Sequence, residues 1–228
     1  MFVPLHDDTP LRVIRFQYVT GAIILADTIL FLMTGAFAND QSLWALASTY
    51  GVTPAQLTNM VPYAGRHALP EPLTLFTYQF LHAGWMHLIS NMLFLWVFAD
   101  NIEDAFGHGG FAIFFVLCGI AGGLMHSFLQ PHSSAPLIGA SGAVSGVMAA
   151  YLLLFPRAHV WILLFLRIPM RISAFWAVGG WFVLQLVSIF FTTQNDVEVA
   201  WWAHVGGFLA GLVLTVALRS RLFIKPSA

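Results

Sequence analysis

Gly139-Ala140-Ser141-Gly142-Ala143-Val144-Ser145-Gly146 lies where a short polar loop gives way to a long apolar run. A serine framed by glycines at such a boundary suits the start of a helix. There, unpaired backbone N–H groups and the positive end of the helix dipole favour a developing negative charge. That is the setting an oxyanion hole requires. Small residues at four-residue spacing also occur wherever two membrane helices pack closely. The octapeptide is therefore either a packing seam or the home of a reactive serine, and the rest of the chain decides between them.

The chain has 228 residues, of which 59% are hydrophobic and 8% charged, and its mean hydropathy is +0.80. A soluble domain carries about 25% charged residues, so lipid rather than water must solvate most of this surface. Long apolar runs instead of short alternating ones point to helices, each closing its own backbone hydrogen bonds in the bilayer, and argue against a β-barrel. A formal net charge of −1 with no basic run offers nothing to nucleic acid. The single cysteine, Cys118, excludes an intrachain disulfide framework. Met1 to Arg15 carries Asp7, Asp8 and Pro10 and lacks the features of a secretory signal or a transit peptide. The first apolar run is expected to stay in the mature protein.

Six segments have roughly the 20-residue capacity that crosses a hydrocarbon core. They are Phe16–Phe37, Met86–Glu103, Gly110–Leu129, Ser141–Phe155, Ile172–Phe191 and Trp202–Leu218, the fourth being short for a full span. No internal repeat suggests a transporter built from duplicated halves. Eight of the nine Lys and Arg residues fall on one side of a six-helix arrangement: Arg12, Arg15, Arg157, Arg167, Arg171, Arg219, Arg221 and Lys225, against Arg66 alone. The positive-inside rule then makes both termini cytoplasmic. The expected organisation is a cytoplasmic N-terminal segment at 1–15, an all-α six-helix membrane domain at 16–219 and a short basic tail at 220–228. Between the first two spans, Ala38–Gln79 is too apolar for a plain loop, with Leu43, Trp44, Leu46, Tyr50, Val52, Leu57, Met60, Val61 and Tyr63. Pro54, Pro62, Pro70 and Pro72 break any continuous span there. A partly membrane-embedded outer loop, packed against the helices, fits this composition.

Polar residues inside spans are expensive and face the bundle or water. His87 and Asn91, four apart near the outer end of the second span, share a helix face. They serve either as interhelical glue or as hydrogen-bond donors to a reacting group. His82 packs or caps the start of that helix. Asp27, inside the first span, is expected to hydrogen-bond or pair within the bundle. Asp100, Asn101, Glu103 and Asp104, ahead of Gly107, read as a solvated helix terminus without chemistry. Gly119, Gly122 and Gly123 make a close-packing face on the third segment, with His126 as a structural neighbour. In Trp201-Trp202-Ala203-His204-Val205-Gly206-Gly207-Phe208-Leu209-Ala210-Gly211, His204 shares a narrow face with Gly207 and Gly211. Those glycines let the helix approach a neighbour closely enough for the imidazole to touch it.

Topology places His87, Ser141 and His204 in the first turns of three helices below the outer face. A nucleophile, a base and oxyanion donors at one depth are the parts that acyl transfer needs.

On these residues the chain resembles the rhomboid intramembrane serine proteases. Gly139-Ala140-Ser141-Gly142 matches the family's Gly-x-Ser-Gly, Ala203-His204 with Gly207 and Gly211 its final-helix motif, and His82, His87 and Asn91 its second-helix residues. The resemblance runs from about Phe16 to Leu218. It implies a Ser141–His204 dyad with no required carboxylate, in which His204 takes the proton of Ser141 and returns it to the leaving amine. His87, Asn91 and the Ser141 N–H would hold the oxyanion, with Gly139, Gly142, Gly207, Gly211 and His82 supporting the site. The resemblance implies no cofactor or metal. The substrates would be transmembrane segments of membrane proteins that unwind near the outer face, at helix-breaking or small residues. A compact chain of this kind suits a prokaryotic plasma membrane. Ser145 stands where some relatives carry an aromatic residue stacked on the base, and the Trp-Arg pair of some first loops is absent. Asp196 and Glu198 read as a solvated loop. A silent client-binding relative usually lacks the serine or the histidine, and both are here. A transporter, haem or metal protein using His82, His87, His126 and His204 needs several converging ligands and leaves Asn91 and Ser141 unexplained.

Overall fold

The computed structural model describes residues 2–35, 39–59, 69–191 and 200–223. Met60, Val61, Pro62, Tyr63, Arg66, Asp196, Glu198 and Lys225, which figured in the sequence reading, lie outside the described residues. The elements in chain order are β1 (Phe2–Asp7), α1 (Tyr18–Thr34), α2 (Asp40–Tyr50), α3 (Pro54–Leu57), α4 (Glu71–Thr77), α5 (Trp85–Phe106), α6 (His108–Leu129) and α7 (Ser141–Leu154). They continue with β2 (His159–Leu164), β3 (Ile168–Ser173), α8 (Ala174–Phe191) and α9 (Trp201–Ala217).

The chain is a multi-span helical membrane protein. α6 and α8 are each long and apolar enough to cross a bilayer, and α5 continues a run from Glu71 that bends by 82° before Trp85. α1, α7 and α9 are shorter apolar helices. Each of the six expected segments thus holds a helix. The fifth starts two residues late, because Ile172 and Ser173 close a strand.

α7 is the centre of the bundle. From Gly142 to Tyr151 every residue is buried, which its small, apolar sequence permits on all sides at once. Phe98, Phe111, Phe114 and Phe115 of α5 and α6 pack in one core with its Met148 and Tyr151. α8 turns Trp176, Leu184, Phe190 and Phe191 outward, as a lipid-facing surface must. Gly107, at φ +71°, reverses the chain between α5 and α6 in one residue, a conformation only glycine adopts freely.

Three features depart from the sequence reading. First, the chain is not all-α: Phe2–Asp7 of the N-terminal segment form β1, which pairs antiparallel with β2, and β2 with β3, in a three-stranded sheet that takes two of its strands from the expected all-α domain. Second, Asn101, Glu103 and Asp104 are buried rather than solvated. Asp104 accepts the backbone N–H groups of Arg12, Val13 and Ile14 at 2.6, 2.8 and 2.6 Å. Glu103 accepts those of Val19 and Thr20 at 2.9 and 2.8 Å, and the Thr20 hydroxyl at 2.7 Å. The N-cap residue of α1, Gln17, makes no side-chain cap bond, so a carboxylate from α5 satisfies its orphan N–H groups and faces the positive end of its dipole. Third, Asp27 is fully buried, yet neither carboxylate oxygen has a hydrogen-bond partner among the described residues. The pairing expected for it is not there.

Candidate active site

The site forms where the N-terminal ends of α5, α7 and α9 meet. Ahead of α7, Gly139 takes φ +128° and its N–H donates to the Tyr78 carbonyl at 2.9 Å. A Cβ at this residue would stand 2.7 Å from His87 Nε2 and 3.7 Å from Ser141 Oγ. Glycine is thus required both by the backbone angle and by the space taken by the imidazole. Ser141 is the first residue of α7 and is half-buried. The first helical bond runs from Val144 N–H to the Ala140 carbonyl at 2.9 Å. The N–H groups of Ser141, Gly142 and Ala143 therefore precede the helical ladder, at the positive end of the dipole.

α7 and α9 meet backbone to backbone. A Cβ at Gly207 would collide with the Gly142 carbonyl, one at Gly211 with the Gly146 carbonyl, and one at Gly146 would lie 2.9 Å from the Gly207 carbonyl oxygen. On the far side, a Cβ at Gly122 of α6 would lie 2.7 Å from the Ala203 carbonyl oxygen. Four-residue spacing puts Gly142 and Gly146 on one stripe and Gly207 and Gly211 on the other, and no side chain separates them.

That approach brings Ser141 Oγ to 2.8 Å from His204 Nε2. His204 is buried, and its Nδ1 lies 3.3 Å from Gln185 Oε1 on α8. An amide oxygen only accepts, so Nδ1 carries the proton and Nε2 of the neutral ring is left to accept from the serine hydroxyl. Trp181, one turn before Gln185, packs on the imidazole with ring centroids 6.0 Å apart, and Trp201 meets it edge-on at 5.9 Å. Stacked Phe182 and Phe208 rings, 3.9 Å between centroids, fasten α8 to α9 below. Sequence reasoning missed Gln185 and Trp181. The legible signal was an amide in an apolar run, four residues from an indole and so on the same helix face.

His87 Nδ1 accepts the Ala83 N–H at 3.2 Å, which leaves Nε2–H of the neutral ring as a donor beside Gly139 and Ser141. Asn91 is buried and spends one amide hydrogen on the His87 carbonyl at 2.8 Å, keeping the other. His82 is 1% exposed and meets His87 edge to face at 5.1 Å; it packs the start of α5. Ser145 donates to the Ser141 carbonyl at 2.6 Å, so it braces the first turn of α7 and does not stack on the base. His126 sits in the last turn of α6. Among the described residues, no three His, Cys, Asp or Glu side chains are grouped to hold a metal ion.

A family profile described as Rhomboid domain matches residues 70–221. RHOMBOID-like protein 12, mitochondrial, of Arabidopsis thaliana is 28% identical over 167 residues, covering 66% of this chain and 47% of that protein. Rhomboid protease GluP of Bacillus subtilis (strain 168) is 38% identical over 72 residues, 32% of this chain and 14% of its own. Inactive rhomboid protein 1 of Drosophila melanogaster is 31% identical over 100 residues, 44% of this chain and 7% of its own. The chain spans less than half the length of each of these relatives.

Proposed function

The chain belongs to the rhomboid family, and on that premise we propose that it is an intramembrane serine endopeptidase. Its substrates are transmembrane segments of membrane proteins, cut near the outer face by a Ser141–His204 dyad. In this reading the six apolar helices are six spans, both termini are cytoplasmic, the protein resides in the cell membrane, and the first outer loop is partly embedded. Active and inactive proteins are both among the relatives, so similarity alone does not carry the activity. The observation that carries it is the 2.8 Å contact between Ser141 Oγ and His204 Nε2.

His204 Nε2 accepts the hydroxyl proton as Ser141 Oγ attacks the peptide carbonyl, and the imidazolium then gives that proton to the leaving amine. Water, deprotonated by the same nitrogen, releases the acyl group. The oxyanion is met by the Ser141 N–H at the start of α7, by His87 Nε2–H and by the free amide hydrogen of Asn91. Gln185 holds the imidazole in the tautomer that the first step needs. Gly139, Gly142, Gly207 and Gly211 allow the backbones to close, and His82 supports His87.

Labelling of the detergent-purified protein by a fluorophosphonate tests the reading. Wild type reacts at Ser141, and Ser141→Ala and His204→Ala do not. A folded wild type that fails to react would overturn the hydrolase reading and favour a client-binding role.

A further inference from the structure

We infer that the β2–β3 hairpin is a lipid anchor, its tip passing the headgroups to the acyl boundary of the leaflet at the end of the bundle opposite Ser141. The argument begins with depth. α7 has 14 residues and so rises about 21 Å, less than the roughly 30 Å hydrocarbon core. A helix that starts just below one face therefore ends near the opposite interface, not beyond it. The hairpin starts there, with its base tied to both helix ends: Ala174 N–H donates to the Ala158 carbonyl at 2.8 Å and Phe175 N–H to the Pro156 carbonyl at 3.2 Å. At the same level α8 begins with exposed Trp176 beside exposed Phe175, and Trp is an amphipathic aromatic that collects at membrane interfaces.

The tip is built for lipid rather than water. Phe165 and Leu166 are its central residues, 67% and 59% exposed, with φ +51° and +59°. A two-residue turn with both angles positive is ordinarily Asn-Gly or Asp-Gly. Here two bulky apolar residues hold that conformation, closed by Arg167 N–H to the Leu164 carbonyl at 3.1 Å, and they project side chains that water does not welcome. Ile168 and Met170 continue the exposed apolar surface. The opposite face is committed inward, since Val160 and Ile162 belong to the bundle core.

Charge names the occupant. Residues 156–173 contain Arg157, Arg167 and Arg171 and no acidic residue. Arg171 is held by Asp8 at 2.6 Å, which ties β3 to the N-terminal segment, while Arg167 lies exposed beside the apolar tip. Apolar side chains reaching the acyl boundary with an arginine at phosphate level are the two contributions to interfacial binding at an anionic leaflet. A soluble protein partner would not require the strained Phe-Leu tip to sit at this depth.

The experiment is a nitroxide attached at Leu166→Cys in the 228-residue chain, whose one native thiol, Cys118, is buried. The protein is reconstituted in phosphatidylcholine vesicles with or without phosphatidylglycerol, with Val183→Cys on the lipid face of α8 as the membrane control. Collision with oxygen exceeding collision with a water-soluble nickel chelate by severalfold at residue 166, as at residue 183, supports insertion. Chelate collisions dominating at residue 166 overturn it and assign the tip to water. In the inserted state, phosphatidylglycerol deepens the label, and Arg167→Gln abolishes that gain. A depth indifferent to both overturns the headgroup contact. A label moved to Met170→Cys gives the same readout if the substitution at the turn fails to fold.

Discussion

For His204, Gln185 occupies the place a carboxylate holds in a three-membered hydrolytic site, fixing the ring by accepting from Nδ1 without adding a charge to the membrane interior. Gln185→Ala is expected to slow fluorophosphonate labelling about 10- to 100-fold, equivalent to about 1.4–2.8 kcal/mol of barrier. Gln185→Glu, which retains the acceptor, recovers most of the rate and changes its pH profile. An unchanged rate in Gln185→Ala would assign the orientation of His204 to the two indoles instead. At the other end of the molecule, burial raises the Asp7 carboxyl above the ordinary carboxylate range, against the lowering effect of the hydrogen bond from Tyr151. A raised acid favours the fold while protonated, so its stabilisation is complete below the unfolded pKa and declines as pH rises through the folded one. Asp7→Asn should therefore raise the thermal midpoint at pH 7.5 and lose that advantage near pH 4, measured by unfolding in detergent.

At the level of elements, the seam between α7 and α9 is the most demanding contact. Gly207→Ala places a methyl on the Gly142 carbonyl and should cost about 1–3 kcal/mol by overpacking, with labelling of Ser141 abolished even where the helices persist. Gly180→Ala, which meets nothing within 4 Å, should leave both melting and labelling intact; equal loss in the two variants would mean that the seam is not special. The helices and the Ser141–His204 encounter were legible because lipid imposes one rule on every span, and because small residues at fixed spacing announce where two spans touch. The hairpin was not. His159-Val160-Trp161-Ile162-Leu163-Leu164 is an apolar run whose strand character depends on pairing with β1, more than 150 residues away in sequence. Glu103 and Asp104 were misread for a similar reason. An acid near the end of its own helix opposes that dipole, and only the distant backbone of residues 12–20 explains why both are there. Gln185 and Trp181 were visible as residues, but their target lies on another helix.

Taken whole, the molecule is closed at one end by the acids of α5 and left receptive at the other. Asp104→Ala removes the acceptor for three backbone N–H groups, on residues exposed or half-buried, so water replaces part of what each loses and the segment loosens rather than unfolding the bundle. Amide exchange across residues 12–20 should accelerate strongly while α7 and α9 stay protected; unchanged exchange would show that β1 alone holds the segment. The receptive end depends on a spacing that contains only main chain. Where leucine or phenylalanine separates two helices, a change of side chain can widen or narrow the gap by small steps. Between Gly142 and Gly207, and between Gly146 and Gly211, every available replacement is larger than what it replaces. The reach from Ser141 to His204 thus behaves as a fixed gauge that mutation can lengthen but not shorten, leaving the surroundings of the imidazole as the open route for adjusting this pair.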